Sequence, residues 1–124
     1  MMKYLCLAYY DVPKYEATPP AEFEAMVAQC AAYDKKLKAS GRLFAHGSLG
    51  APKDTRNLLP RSGKAIVTDG PYIETKEQVG GWFIIEAKDM DDALEVAKNH
   101  PAANMGEQMG WGIEVRSADF FESF

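Results

Sequence analysis

The side chains best suited to chemistry gather between positions 69 and 77, where Asp69, Glu74, Lys76 and Glu77 fall within the segment TDGPYIETKEQVGGWFIIEA. Carboxylates near a lysine can order a polar loop or grip a charged ligand, and a histidine beside a carboxylate can move protons near neutral pH. The chain has two histidines, His46 in FAHGS and His100 at the end of a helical pattern. Strict alternation along FAHGS sets Phe44, His46 and Ser48 on one face and Leu43, Ala45 and Gly47 on the other. The smaller apolar set suits the face under helices, so His46 is expected on the opposite face, paired with Asp69 as a candidate catalytic couple. Arg56 and Tyr72 join Glu74, Lys76 and Glu77 as candidate ligand-binding residues. Plainer readings stand beside these. Asp69-Gly70-Pro71 is also a turn in which Asp bonds backbone N–H groups, Gly supplies unusual dihedrals and Pro fixes φ. The charges at 74–77 also suit a solvated face, and Tyr72, Trp82 and Trp111 suit a core or an interface.

Several chemistries have no support. HxH, HExxH, CxxC, GxSxG and GxxxxGK[ST] are all absent, which counts against a metalloenzyme, a redox dithiol, an α/β-hydrolase and a P-loop protein. Gly80 and Gly81 permit a bulge or a close backbone approach but do not form a dinucleotide fingerprint. No cofactor and no metal are called for. Cys6 and Cys30 read as separate reduced thiols, since one falls on a strand pattern and the other on a helix pattern. With 18 acidic against 14 basic residues and a net charge of −4, the chain lacks the basic footprint of a nucleic-acid or anionic-lipid binder. The opening MMKYLCLAYY carries Lys3, is followed by Asp11 and has no small-residue cleavage site, so it reads as a strand and not a signal peptide. No apolar run approaches a membrane span, and the expected location is cytoplasmic.

The elements that must position these residues follow from period and punctuation. A chain of 124 residues suits one domain, 1–124, with one core. Residues 2–10 are apolar on both faces, the pattern of an interior strand. After a proline-containing loop, Thr18 is a candidate N-cap for a helix that tolerates Pro19 and Pro20 in its first turn and stops at Gly41. Phe23, Met26, Val27, Cys30, Tyr33 and Leu37 form its apolar stripe. RLFAHGSL is a second strand, and TRNLLPRSGKAIVTDG an inserted hairpin turning near Arg61-Ser62-Gly63. GGWFIIEA is a strand, DMDDALEVAKNHP a helix capped by Asp89 and ended by Pro101, and WGIEVRSA a last strand. The order is that of a ferredoxin-like split βαβ fold with an inserted hairpin, both helices on one face. Strands apolar on both sides leave the helix-free face without cover, which points to a homodimer formed through the sheets.

The run Asp69-Gly70-Pro71-Tyr72, Glu74-Thr75-Lys76-Glu77 and Gly80-Gly81 closely resembles the motif of the DGPF family within the YCII-related proteins, with Tyr in place of the usual Phe. MKYLCLAYY resembles that family's first strand, EVAKNHPAA its second helix and loop, and IEVRSA its last strand. The resemblance implies a dimeric α+β barrel of ferredoxin-like subunits. It also implies a pocket with a His and Asp pair, and, for some members, genes beside sigma factors of the extracytoplasmic-function type.

Two functions of different class follow. One is a cofactor-independent small-molecule enzyme using acid/base chemistry, isomerase- or hydrolase-like, in a pocket at the dimer-facing side of the sheet. The other is a ligand-binding or regulatory dimer associated with such sigma factors. A purely structural dimer is the remaining possibility. Whether Asp69 and His46 meet in a cavity separates them.

Overall fold

A computed structural model describes all 124 residues. The chain is a mixed α+β fold with the elements β1 (Met2–Asp11), α1 (Val12–Ala17), α2 (Pro20–Ala39), β2 (Leu43–Ser48), β3 (Arg56–Arg61), β4 (Lys64–Asp69), β5 (Glu77–Ala87), α3 (Met90–Ala97) and β6 (Gly112–Ser117). Four strands form one sheet in the order β2-β5-β1-β6, and β3 and β4 form a separate two-stranded sheet. Every pairing in the four-stranded sheet is antiparallel. With the β3–β4 hairpin set aside, this strand order is compatible with the ferredoxin-like arrangement.

The core lies between the sheet and the helices. Tyr4 and Cys6 of β1 and Phe83, Ile85 and Ala87 of β5 meet Leu37 of α2 and Ala93, Val96 and Ala97 of α3. Alternation along β1 sends Tyr4, Cys6 and Ala8 inward and Lys3, Leu5 and Leu7 outward, because successive strand residues face opposite sides. Phe83, fully buried at the centre, is the residue whose truncation removes most packing, at roughly 3–5 kcal/mol.

Local capping follows the sequence at α3, where Asp89 accepts from the Asp92 N–H at 2.8 Å. It departs at the other end of the chain. Residues 12–17, expected as loop, form α1 because Asp11 caps them: its carboxylate accepts from the Lys14 N–H at 3.0 Å. Thr18 is not the cap of α2; its hydroxyl donates to the Lys14 carbonyl, and Pro19 opens the helix. α2 ends as expected, with Gly41 at φ +72°. The hairpin turns on Ser62 and Gly63, both at positive φ, the geometry of a two-residue hairpin turn that matches strand twist.

Two bulges set the register. One lies between Leu43 and Ala45 of β2, leaving Phe44 as the extra residue against β5. The other lies between Ala8 and Tyr9 of β1, leaving Gly80 as the extra residue of β5. Each bulge shifts the alternation that follows it.

Candidate functional site

An open recess of about 270 Å³ lies between α2 and one end of the sheet. It exists because the strands beneath carry almost no side chain there. Ala8 and Gly81 are directly opposite one another on β1 and β5 and supply the floor. A Cβ on Gly81 would stand 3.4 Å from the Gly47 carbonyl oxygen and 3.8 Å from the Ala8 Cβ, so anything longer would grow into the recess. Gly80 is bare for a different reason: the Tyr10 ring lies over it, 2.8 Å from where a Cβ would sit. The adjacent glycines therefore make a floor and a seat for one wall. Trp111 also lines the recess.

The roof comes from α2. Only Met26 and Leu37 are buried along that helix, and Cys30 and Asp34, one turn apart between them, line the recess half-buried. Residues four apart on a helix share a face, so the two arrive together. Asp34 belongs to none of the ion pairs of the chain. The Cys30 thiol donates to the Met26 carbonyl at 3.6 Å. Burial, and then the charge of Asp34, push its pKa up, so it stays a thiol and not a nucleophilic thiolate.

His100 closes one end. Its Nδ1 accepts from the Ala102 N–H at 3.0 Å, capping the short turn Pro101–Ala103. Its ring stacks on Phe83, with centroids 4.6 Å apart and planes within 3°. Burial holds its pKa below the ordinary value; the charge of Asp34 opposes that shift and His46 adds to it. With Nδ1 occupied as an acceptor, the neutral ring carries its proton on Nε2 and offers it as a donor. Protonating Nδ1 would break the bond to Ala102.

His46 lies on the helix side of the sheet and not, as alternation predicts, on the helix-free side. It pairs directly with Phe83, whose side chain is in the core, while Gly47 pairs with Trp82 on the outer face. The bulge at Phe44 causes the reversal, since one extra residue turns every later side chain over. His46 is exposed at the edge strand, and its influence on His100 reflects their common neighbourhood around Phe83.

The DGP segment lies elsewhere. Asp69 pairs with Arg56 across the β3–β4 hairpin at 3.2 Å, with both side chains mostly in solvent. The turn is held by backbone: the Gly70 N–H donates to Thr55 O at 2.8 Å, and Asn57 Nδ2 donates to Gly70 O at 2.7 Å. Neither Asp69 nor Arg56 lines the recess, and the expected couple of Asp69 with His46 is not formed. Glu74, Lys76 and Glu77 are exposed, and the one contact among them, Lys76 to Glu77, is 3.9 Å. Their loop is ordered instead by Gln78, whose amide donates to Ile73 O and Thr75 O, and by the Val12 N–H on Lys76 O at 2.7 Å. Tyr72 is exposed and, with Pro71, borders a second open groove of about 370 Å³ against residues 49–55. No three His, Cys, Asp or Glu side chains are placed to share a metal ion. No helix is long and apolar enough to cross a membrane.

Among the residues lining the recess, Cys30 and His100 stand out in the sequence only as a helix-stripe thiol and a helix-end histidine, and Asp34 and Tyr10 have no expected role there. One signal was present: Asp34 is an acid on the apolar stripe of α2, four residues from Cys30 and three from Leu37. A charge at a core-facing position needs a partner, a ligand or solvent.

A model of the YCII-related domain matches residues 2–110. A protein of Rhizobium meliloti (strain 1021), itself described only as uncharacterised, is 32% identical over 103 residues, which cover 83% of each chain.

Proposed function

This chain belongs to the YCII-related domain family, and on that footing we propose that it is a small-molecule enzyme using acid/base chemistry in the helix-side recess, without a tightly bound cofactor. The observation that carries this reading is the half-buried Asp34 carboxylate, free of any salt bridge, sharing a recess with a neutral His100 that presents a proton on Nε2. A neutral imidazole is a suitable donor to a carbonyl oxygen as charge develops on it. A carboxylate nearby accepts a proton from the carbon beside that carbonyl. Return of the proton to a different carbon completes an isomerisation; with a lactone, Asp34 instead takes a proton from water as its oxygen adds to the carbonyl, and the ring C–O bond breaks with that proton passing to the departing alkoxide, which gives hydrolysis.

Homodimerisation through the outer sheet face belongs to the same proposal. Leu5, Leu7, Trp82 and Ile84 point there and stay only partly covered within one chain, and a second copy would cover them and complete a dimeric α+β barrel. A second reading is a ligand-binding or regulatory dimer, supported by a different observation, the Pro71-Tyr72 segment and its groove lying open on the surface; its association with extracytoplasmic-function sigma factors is what the resemblance implies for some members.

Mapping amide shift perturbations from a metabolite library distinguishes the two. The enzyme reading expects perturbations at Cys30, Gly81 and Ala102, and turnover that Asp34→Asn abolishes while binding persists. Perturbations confined to 49–55 and 71–79, with no turnover, would favour the binding reading.

A further inference from the structure

We infer that the recess selects compact, uncharged molecules presenting a carbonyl-type acceptor, and rejects carboxylates and phosphates of the same shape. The inference rests on reading the recess as a ligand site and adds the class of ligand.

Thirteen residues line the recess, and none is lysine or arginine; the sole acidic side chain among them is Asp34. The nearby lysines of α2, Lys35, Lys36 and Lys38, are exposed and do not line it. An anion would therefore enter beside an unpaired carboxylate with no cation to offset it. In a partly desolvated site that repulsion is far stronger than in water. His100 does not supply the missing charge, because its Nδ1 is committed to the Ala102 N–H and the ring stays a neutral donor.

A neutral imidazole N–H offers one proton to an acceptor, and Asp34 offers acceptors to an N–H, O–H or acidic C–H on the other end of the same molecule. That complementarity fits an amide, a ketone or a lactone bearing a donor or acidic hydrogen next to the carbonyl. The volume of about 270 Å³ and the aromatic walls Tyr10 and Trp111 favour one flat ring or its equivalent.

Three near-isosteric probes test this on the intact chain by titration calorimetry at pH 7.5: benzamide, benzoate and benzylammonium. Benzamide is expected to bind saturably, and benzoate at least about tenfold more weakly, the difference a single desolvated charge repulsion produces. Asp34→Asn should narrow the gap between benzamide and benzoate to about twofold, and His100→Phe should weaken benzamide by about tenfold. Amide shifts at Gly81 and Ala102 identify the recess as the place of binding. Benzoate binding there as tightly as benzamide overturns the inference while leaving a ligand site, and benzylammonium binding more tightly than benzamide overturns it in favour of a cation site. Failure of all three probes to perturb the recess overturns the ligand-site reading itself, and the inference with it.

Discussion

The imidazole of His100 lies flat on the phenyl ring of Phe83, with centroids 4.6 Å apart and planes within 3°. This stack joins the centre of the core to one end of the recess. It fixes the ring plane, while the Ala102 N–H fixes the rotation within that plane by occupying Nδ1. What is left for chemistry is the proton on Nε2.

Stability should fall on mild acidification because of this residue. Burial lowers the pKa of His100 from 6.5, so the unfolded chain takes up a proton at a higher pH than the folded one. Where the unfolded state binds more protons, stability rises with pH. The contribution is thus fully present above about 6.5 and is lost as pH falls toward the lower folded value. Thermal melts from pH 7.5 to 5 should show that decline, and His100→Phe should flatten it. An unchanged slope in the variant would contradict a buried neutral His100.

Gly81→Ala should fold normally, since the nearest atom to the added methyl, at 3.4 Å, is at an ordinary contact limit. Gly81→Leu should fill the recess and abolish binding of any probe that wild type holds there. Gly106→Ala is the contrasting case: φ is +79° and the Trp111 ring stands 2.2 Å from the new Cβ. Strained backbone and overpacking together should cost roughly 2–4 kcal/mol in urea denaturation.

Asp69→Ala should change stability by less than about 1 kcal/mol, because its partner Arg56 and its own carboxylate are mostly in solvent and exposed pairs contribute little. Gly70→Ala should cost more, about 1–2 kcal/mol, since φ at that position is +85° and a side chain there is disfavoured. If the aspartate variant proved the more damaging of the two, the turn would be held by its carboxylate after all.

Ile84→Lys tests the outer face. Its neighbours across the strands are Leu5 and Ala45, and a lysine there would have no acidic partner directly opposite. Light scattering should report a dimer for wild type at micromolar concentration and a monomer for the variant, with the melting temperature of the monomeric unit little changed. A wild-type monomer would remove the barrel from the proposal.

The sequence by itself determined the architecture. Two-sided apolar runs marked β1 and β5, a stripe from Phe23 to Leu37 with Gly41 beyond it marked α2, and Asp89 marked the start of α3. These signals are local, because period, cap and turn chemistry act within a few residues. The capping of α1 by Asp11 was equally local and was obscured by Pro13, which reads as loop but is tolerated in a first helical turn. Tertiary structure alone decided the candidate site. Phe44 became an extra residue only on pairing with β5, and that single insertion carried His46 to the helix side. Asp69 went to Arg56 because the hairpin formed its own two-stranded sheet and left the four-stranded one. Cys30 with Asp34, Gly81 and His100 are far apart in the chain and meet only when α2 crosses the sheet above the Ala8–Gly81 pair, where the strands carry almost no side chain. Register and crossing depend on every long-range contact at once, whereas a helix cap or a strand's alternation depends on its own few residues.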